Sequence, residues 1–113
     1  MILKFHSASR ISVKGISAAQ GQPLLDIAIN DLSGKDQSIL VTCSLMYTSG
    51  NLRFFVANEG RAPEFKYSNA IRAIRGYRAW MEGRTLFKVP TIIVKLDGEG
   101  IGQLAITVEH NEA

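Results

Sequence analysis

Tyr67-Ser-Asn-Ala-Ile-Arg-Ala-Ile-Arg-Gly-Tyr-Arg-Ala-Trp-Met-Glu82 is the one stretch of this chain whose apolar residues do not alternate. Ala70, Ile71, Ile74, Tyr77 and Met81 recur at intervals of three and four, the spacing of a helix with one inward stripe. Ser68 or Asn69 can cap its start and Gly83 its end, and Pro63 marks a loop leading in. Gly76 in mid-helix costs about 1 kcal/mol relative to alanine. It is either tolerated or admits a neighbouring backbone.

Around this helix the period falls to two. Leu25, Ile27 and Ile29 share one face, as do Ile39, Val41, Cys43, Leu45 and Tyr47, and then Leu52, Phe54 and Val56. Beyond Gly83 the alternation returns in Ile92, Val94 and Leu96 and in Leu104, Ile106 and Val108. Leu3 with Phe5 and Ile11 with Val13 are weaker candidates. Such alternation describes antiparallel strands with one buried face. Asp31 to Asp36, Thr48 to Asn51 and Asp97 to Gly102 carry the Gly, Asn and Asp residues of turns, and Gly21-Gln-Pro23 marks the start of a strand pair. The sequence therefore predicts an α+β domain over residues 1–113: a curved antiparallel sheet of five to seven strands with a single helix before the C-terminal hairpin.

Length and composition agree. At 113 residues the chain is one domain's worth, and it buries roughly two-thirds of its unfolded surface. With 46% hydrophobic residues and a net charge of +3 it is not disordered. No apolar run approaches the ~20 residues of a membrane helix, and Met1-Ile-Leu-Lys-Phe-His6 is too short and polar for a signal peptide. Cys43 is the only cysteine, which removes an internal disulfide and a cysteine-built zinc site. The expectation is a cytoplasmic protein without cofactor or metal.

The modest net charge hides an asymmetry. Residues 53–84 hold Arg53, Arg61, Lys66, Arg72, Arg75, Arg78 and Arg84 against Glu59, Glu64 and Glu82, whereas the rest of the chain is slightly acidic. Phe54, Phe55, Phe65, Tyr67, Tyr77 and Trp80 lie in the same window. Arginine matches phosphate bidentately and stacks on flat rings, and cations interleaved with aromatics are what a single-stranded nucleic-acid site uses. The alternative use of these residues is ordinary: rings fill the core and arginines keep a helix solvated.

The helical wheel sharpens three positions. Arg72 and Arg75 fall outside the inward stripe. Arg78 falls within it and needs a partner, either Asp26 or another strand carboxylate, unless it borders a groove or an interface. Trp80 is either an exposed contact residue beside Arg84 or is covered by a strand or terminus. On the strands, Arg10, Ser12 and Lys14, then Arg53 and Phe55, then Lys95 take outward positions, as on sheet-based nucleic-acid readers.

Catalytic and ligand motifs fail in turn. His6 and His110 lie at opposite ends, and no spacing suggests a metal. Cys43 alternates with apolar residues as a small buried hydrophobe does. Ser33-Gly-Lys35 is not a phosphate loop, because Asp36 replaces the Ser or Thr and Ile29 the first Gly. Asp31-Leu-Ser-Gly-Lys-Asp36 partly resembles the Asp-x-Ser-x-x-Gly element of PilZ domains, but Asp36 replaces the final Gly and the upstream arginine pair is missing, which excludes that family. Gly98-Glu-Gly100 is turn chemistry with no helix after it.

The function these residues predict is non-enzymatic nucleic-acid binding, with single-stranded DNA or RNA held by Arg53, Lys66, Arg72, Arg75 and Arg84 while Phe55 and Trp80 stack. Homo-oligomerisation would multiply the phosphate contacts. The alternative is a regulator or inhibitor of the kind phages and plasmids carry, using the same Arg and Trp residues against an acidic protein. A third reading is an assembly subunit joined through strand edges and Trp80.

Overall fold

A computed structural model describes residues 1–6, 16–42, 44–59, 62–86 and 91–108. Arg10, Ile11, Ser12, Val13, Lys14, Cys43, Arg61 and His110, each given a reading above, lie outside the described residues. The elements run β1 (Ile2–His6), β2 (Ile16–Ser17), α1 (Ala18–Ser33), β3 (Leu45–Ser49), β4 (Leu52–Asn58), α2 (Tyr67–Met81), β5 (Thr85–Leu86), β6 (Thr91–Leu96) and β7 (Glu99–Val108). Five strands form an open antiparallel sheet in the order β1-β6-β7-β4-β3, and β2 pairs with β5 in a separate two-stranded ladder. The class is α+β, with two helices instead of one.

Alternation predicts β4, β6 and β7 because each has one buried face. Leu52, Phe54, Val56, Ile92, Val94, Leu104 and Ile106 all point into the core. Two tight turns set the register. Gly50 (φ 59°) and Asn51 join β3 to β4, and Asp97 (φ 52°) with Gly98 (φ 83°) join β6 to β7. The second has the left-handed pair of φ angles that suits the twist of a hairpin and that Asp-Gly adopts readily.

Residues 18–33 depart from the expectation of a strand. Leu24, Leu25, Ala28 and Leu32 are all fully buried, and they lie on one helical stripe. Ile27, placed by alternation on the buried face with Leu25 and Ile29, is 43% exposed. Both periods were present in the sequence. The helical one wins because its stripe closes the core over β3 and β4 while its other flank packs on α2. Gly21 and Pro23 therefore lie inside α1, and Asp31 to Asp36 forms its C-terminal end instead of a turn between strands. The strand expected over 39–47 shortens to β3, because residues 39–41 bridge to the start of α2 instead: Val41 N–H donates to the Phe65 carbonyl and Tyr67 N–H to the Ile39 carbonyl.

Both helices cover the same face of the sheet. α2 packs beside α1, and Tyr77, Ile74, Ala73 and Met81 of α2 are fully buried in the shared core. Gly76 makes room for a side chain of β1: a Cβ there would lie 2.9 Å from Leu3 Cδ1. Gly102 of β7 makes room for the Phe65 ring in the same way, since a Cβ there would lie 2.5 Å from Phe65 Cε2. The opposite face of the sheet carries no layer among the described residues.

Candidate nucleic-acid interface

The residues singled out by sequence divide between the two layers. On β4, Leu52, Phe54 and Val56 point inward, so Arg53 and Phe55 stand on the open face, each half-buried. Cross-strand register gives their neighbours: Arg53 lies between Thr48 and Thr107, and Phe55 between Met46 and Ala105. Pairs that stand opposite share a face, so the same surface continues through Gln103, Ala57, Ile93 and Thr91 to Lys4 and Lys95 near the β1 edge.

The helix residues lie on the other side of the sheet. Arg72 and Arg75 are exposed on the solvent flank of α2. Lys66 precedes the helix, where its backbone N–H donates to Asn69 Oδ1 at 3.1 Å. Trp80 and Arg84 occupy the far end, about 20 Å from Lys66 by helical rise. Trp80 is covered: its ring stacks on Phe5 of β1 at 4.3 Å, and the Arg84 guanidinium lies 4.5 Å over it while Arg84 Nε donates to the Trp80 carbonyl. The seven predicted residues thus make no single strip. Arg53 and Phe55 are brought together, Trp80 and Arg84 are brought together, and the sheet separates the two pairs.

Arg78 finds the carboxylate expected of it, although Asp26 proves to be on a helix. Nε donates to Oδ1 at 2.7 Å and Nη2 to Oδ2 at 3.3 Å, and the carboxylate raises the guanidinium pKa further above its ordinary value. The pair is about half exposed and stands at the α1–α2 seam, where Gln22 also donates to Glu82. It joins the two helices at this seam.

Charge on the open face is uneven. Among the described residues it holds Lys4, Lys95 and Arg53, and its one carboxylate, Glu59, accepts a hydrogen bond from Gln103 at 2.7 Å. Exposed apolar groups accompany the cations: Ile2 is 66% and Met46 53% exposed. Lys4, Met46, Ile93 and Gln103 were not singled out by sequence. Alternation with Leu3 and Phe5 marks Lys4 as outward, but only the strand order brings it onto the face of Phe55.

Among the described residues no three His, Cys, Asp or Glu side chains gather as metal ligands. None of the described helices is long and apolar enough to cross a membrane. The fold and this face define a two-layer α+β domain with helices on one side of an open sheet. Comparison with known families, curated proteins and solved structures finds no match to the chain.

Proposed function

We propose that this is a small non-enzymatic binding domain that takes single-stranded nucleic acid across the open face of its five-stranded sheet. The observation that carries the reading is the surface itself: Phe55 and Arg53 alternate outward on β4, and Lys4 and Lys95 stand across the sheet from them. A ring can stack a base while separated cations follow the backbone, and neither needs a deep pocket. Arg72 and Arg75, on the far layer, are surface charges that keep α2 solvated.

Anisotropy of a fluorescent single-stranded oligonucleotide tests this. Log K falls linearly with log salt. Phe55→Ala weakens binding by about 1–3 kcal/mol, and Arg53→Ala lowers the slope by about one. Arg72→Ala with Arg75→Ala leaves both nearly unchanged. Absence of binding at low salt, or loss through Arg72 and Arg75 with Phe55→Ala neutral, overturns the assignment. The exposed Ile2 and Met46 favour a second reading, a protein-binding regulator. That reading requires a stoichiometric complex with an acidic protein that survives moderate salt.

A further inference from the structure

The outer edge of β3, unpaired among the described residues, is suited to a second copy of itself, and we propose that two chains pair antiparallel along it into a symmetric dimer with one continuous ten-stranded sheet. The inference rests on the edge and its flanks, and stands apart from the nucleic-acid reading.

β3 ends the strand order, and among the described residues no strand pairs with its outer side. Ser49 and Leu52 close the two-residue turn at Gly50 and Asn51, so this pair exchanges both its backbone bonds. Antiparallel alternation then turns Leu45, Tyr47 and Ser49 toward β4 and leaves the N–H and C=O groups of Met46 and Thr48 pointing outward. Exposed edges are ordinarily blunted by a charge, a proline or a bulge. Leu45-Met-Tyr-Thr-Ser49 has no charge and no proline, and its register with β4 is unbroken.

The flanks add an independent observation. Four large apolar side chains among the described residues are exposed, and two of them border this edge. Met46, 53% exposed, stands on the open face. Ile27, 43% exposed, lies one turn before Asp31 on the flank of α1 that overlooks β3, as the bond from the Tyr47 hydroxyl to Asp31 at 2.8 Å shows. A two-fold axis at Tyr47 satisfies every feature at once. It pairs Met46 with the second copy's Thr48 twice, closing four backbone hydrogen bonds, and it brings Ile27 toward its own equivalent. A strand from an unrelated protein would meet the same edge without that match in the helix layer.

Sedimentation or light scattering of the intact chain alone, from about 1 µM to 500 µM, decides the matter. The mass rises from 12.4 kDa toward twice that value. Met46→Lys and Ile27→Glu, both at exposed positions, each weaken the dimer by about tenfold or more and leave the melting temperature of the dilute monomer unchanged. The Met46 and Thr48 amides exchange slowly in the dimer and rapidly on dilution, whereas the Tyr47 amide is protected throughout. A mass that stays at 12.4 kDa overturns the proposal. So does a dimer that both variants leave intact, or one in which those two amides remain unprotected.

Discussion

At the scale of single residues, Asp31 shows how a local sequence cost is offset by tertiary contacts. A carboxylate in the last turn of a helix faces the negative end of the dipole, which disfavours it. Here the Tyr47 hydroxyl donates to Oδ2 and Lys35 lies 3.3 Å from the same oxygen. Tyr47 first, and Lys35 after it, hold the Asp31 carboxyl below the usual carboxylate range despite slight burial. Burial of the ring, and after it the same bond, push the Tyr47 hydroxyl well above its ordinary range. A carboxyl whose folded pKa is depressed stabilises the fold above its unfolded pKa, near 4, and that stability is lost as pH falls through the lower folded value. Tyr47→Phe therefore lowers stability at pH 7, and its disadvantage shrinks as the solution is acidified below about pH 4. Urea titrations of both proteins across that range check this. Asp36, held low by Ser38, gives a background that the two share. Curves that stay parallel to pH 2 or so would show that the Tyr47 bond does not couple to the titration.

Among the elements, α1 is the one whose identity sequence did not reveal. Pro23 sits six residues into a helix of 16, where it lacks the N–H that would bond to the Ala19 carbonyl. Pro23 and Ala19 are both exposed, so water reaches the freed carbonyl and the helix survives. Pro23→Ala restores the bond and raises stability by about 1 kcal/mol, less than the ~3 kcal/mol of a buried helix interior, since the freer unfolded chain offsets part of the gain. For a domain of this size the melting temperature rises by about 4 °C. A drop in melting temperature would mean that the proline is needed for the path of the chain from β2 into α1.

That same proline, with Gly21, is why the segment reads as a strand entrance. Leu25, Ile27 and Ile29 satisfy a period of two, while Leu24, Leu25, Ala28 and Leu32 satisfy a helical one, and only the partners at β3, β4 and α2 choose between them. α2, β4, β6 and β7 were legible because each offers one period. The pairing of Arg78 with Asp26 was legible in part: a charge at an apolar stripe needs an acid or an edge from which to reach water, and this one has both. The candidate site was legible in part. Alternation marks Arg53 and Phe55 as outward, but which strands flank them depends on pairings between distant segments, such as β1 with β6 and β4 with β7. No local pattern reveals that Lys4 and Phe55 share a face, or that α2 lies behind it.

For the whole molecule, the two proposals make a joint prediction that neither makes alone. Pairing at β3 would set Phe55, Met46, the second copy's Thr48 and the second copy's Arg53 in one row, with ring and guanidinium about 14 Å apart at three strand spacings. The mirror row runs the other way across the axis. A strand of nucleic acid laid over both rows meets two rings and twice the cations of one chain, whereas a short oligonucleotide meets only one half. A long oligonucleotide then binds the dimer more tightly than the chain carrying Ile27→Glu, and its salt slope is about twice as steep. Linkage makes the effect reciprocal: the factor by which dimerisation tightens the long oligonucleotide is the factor by which that oligonucleotide tightens the dimer. The short oligonucleotide shows neither effect. Measuring both quantities with both lengths closes the cycle. A slope that Ile27→Glu does not change, with the dimer shown to be broken, would mean that the two faces act separately and that the ligand lies along a single sheet.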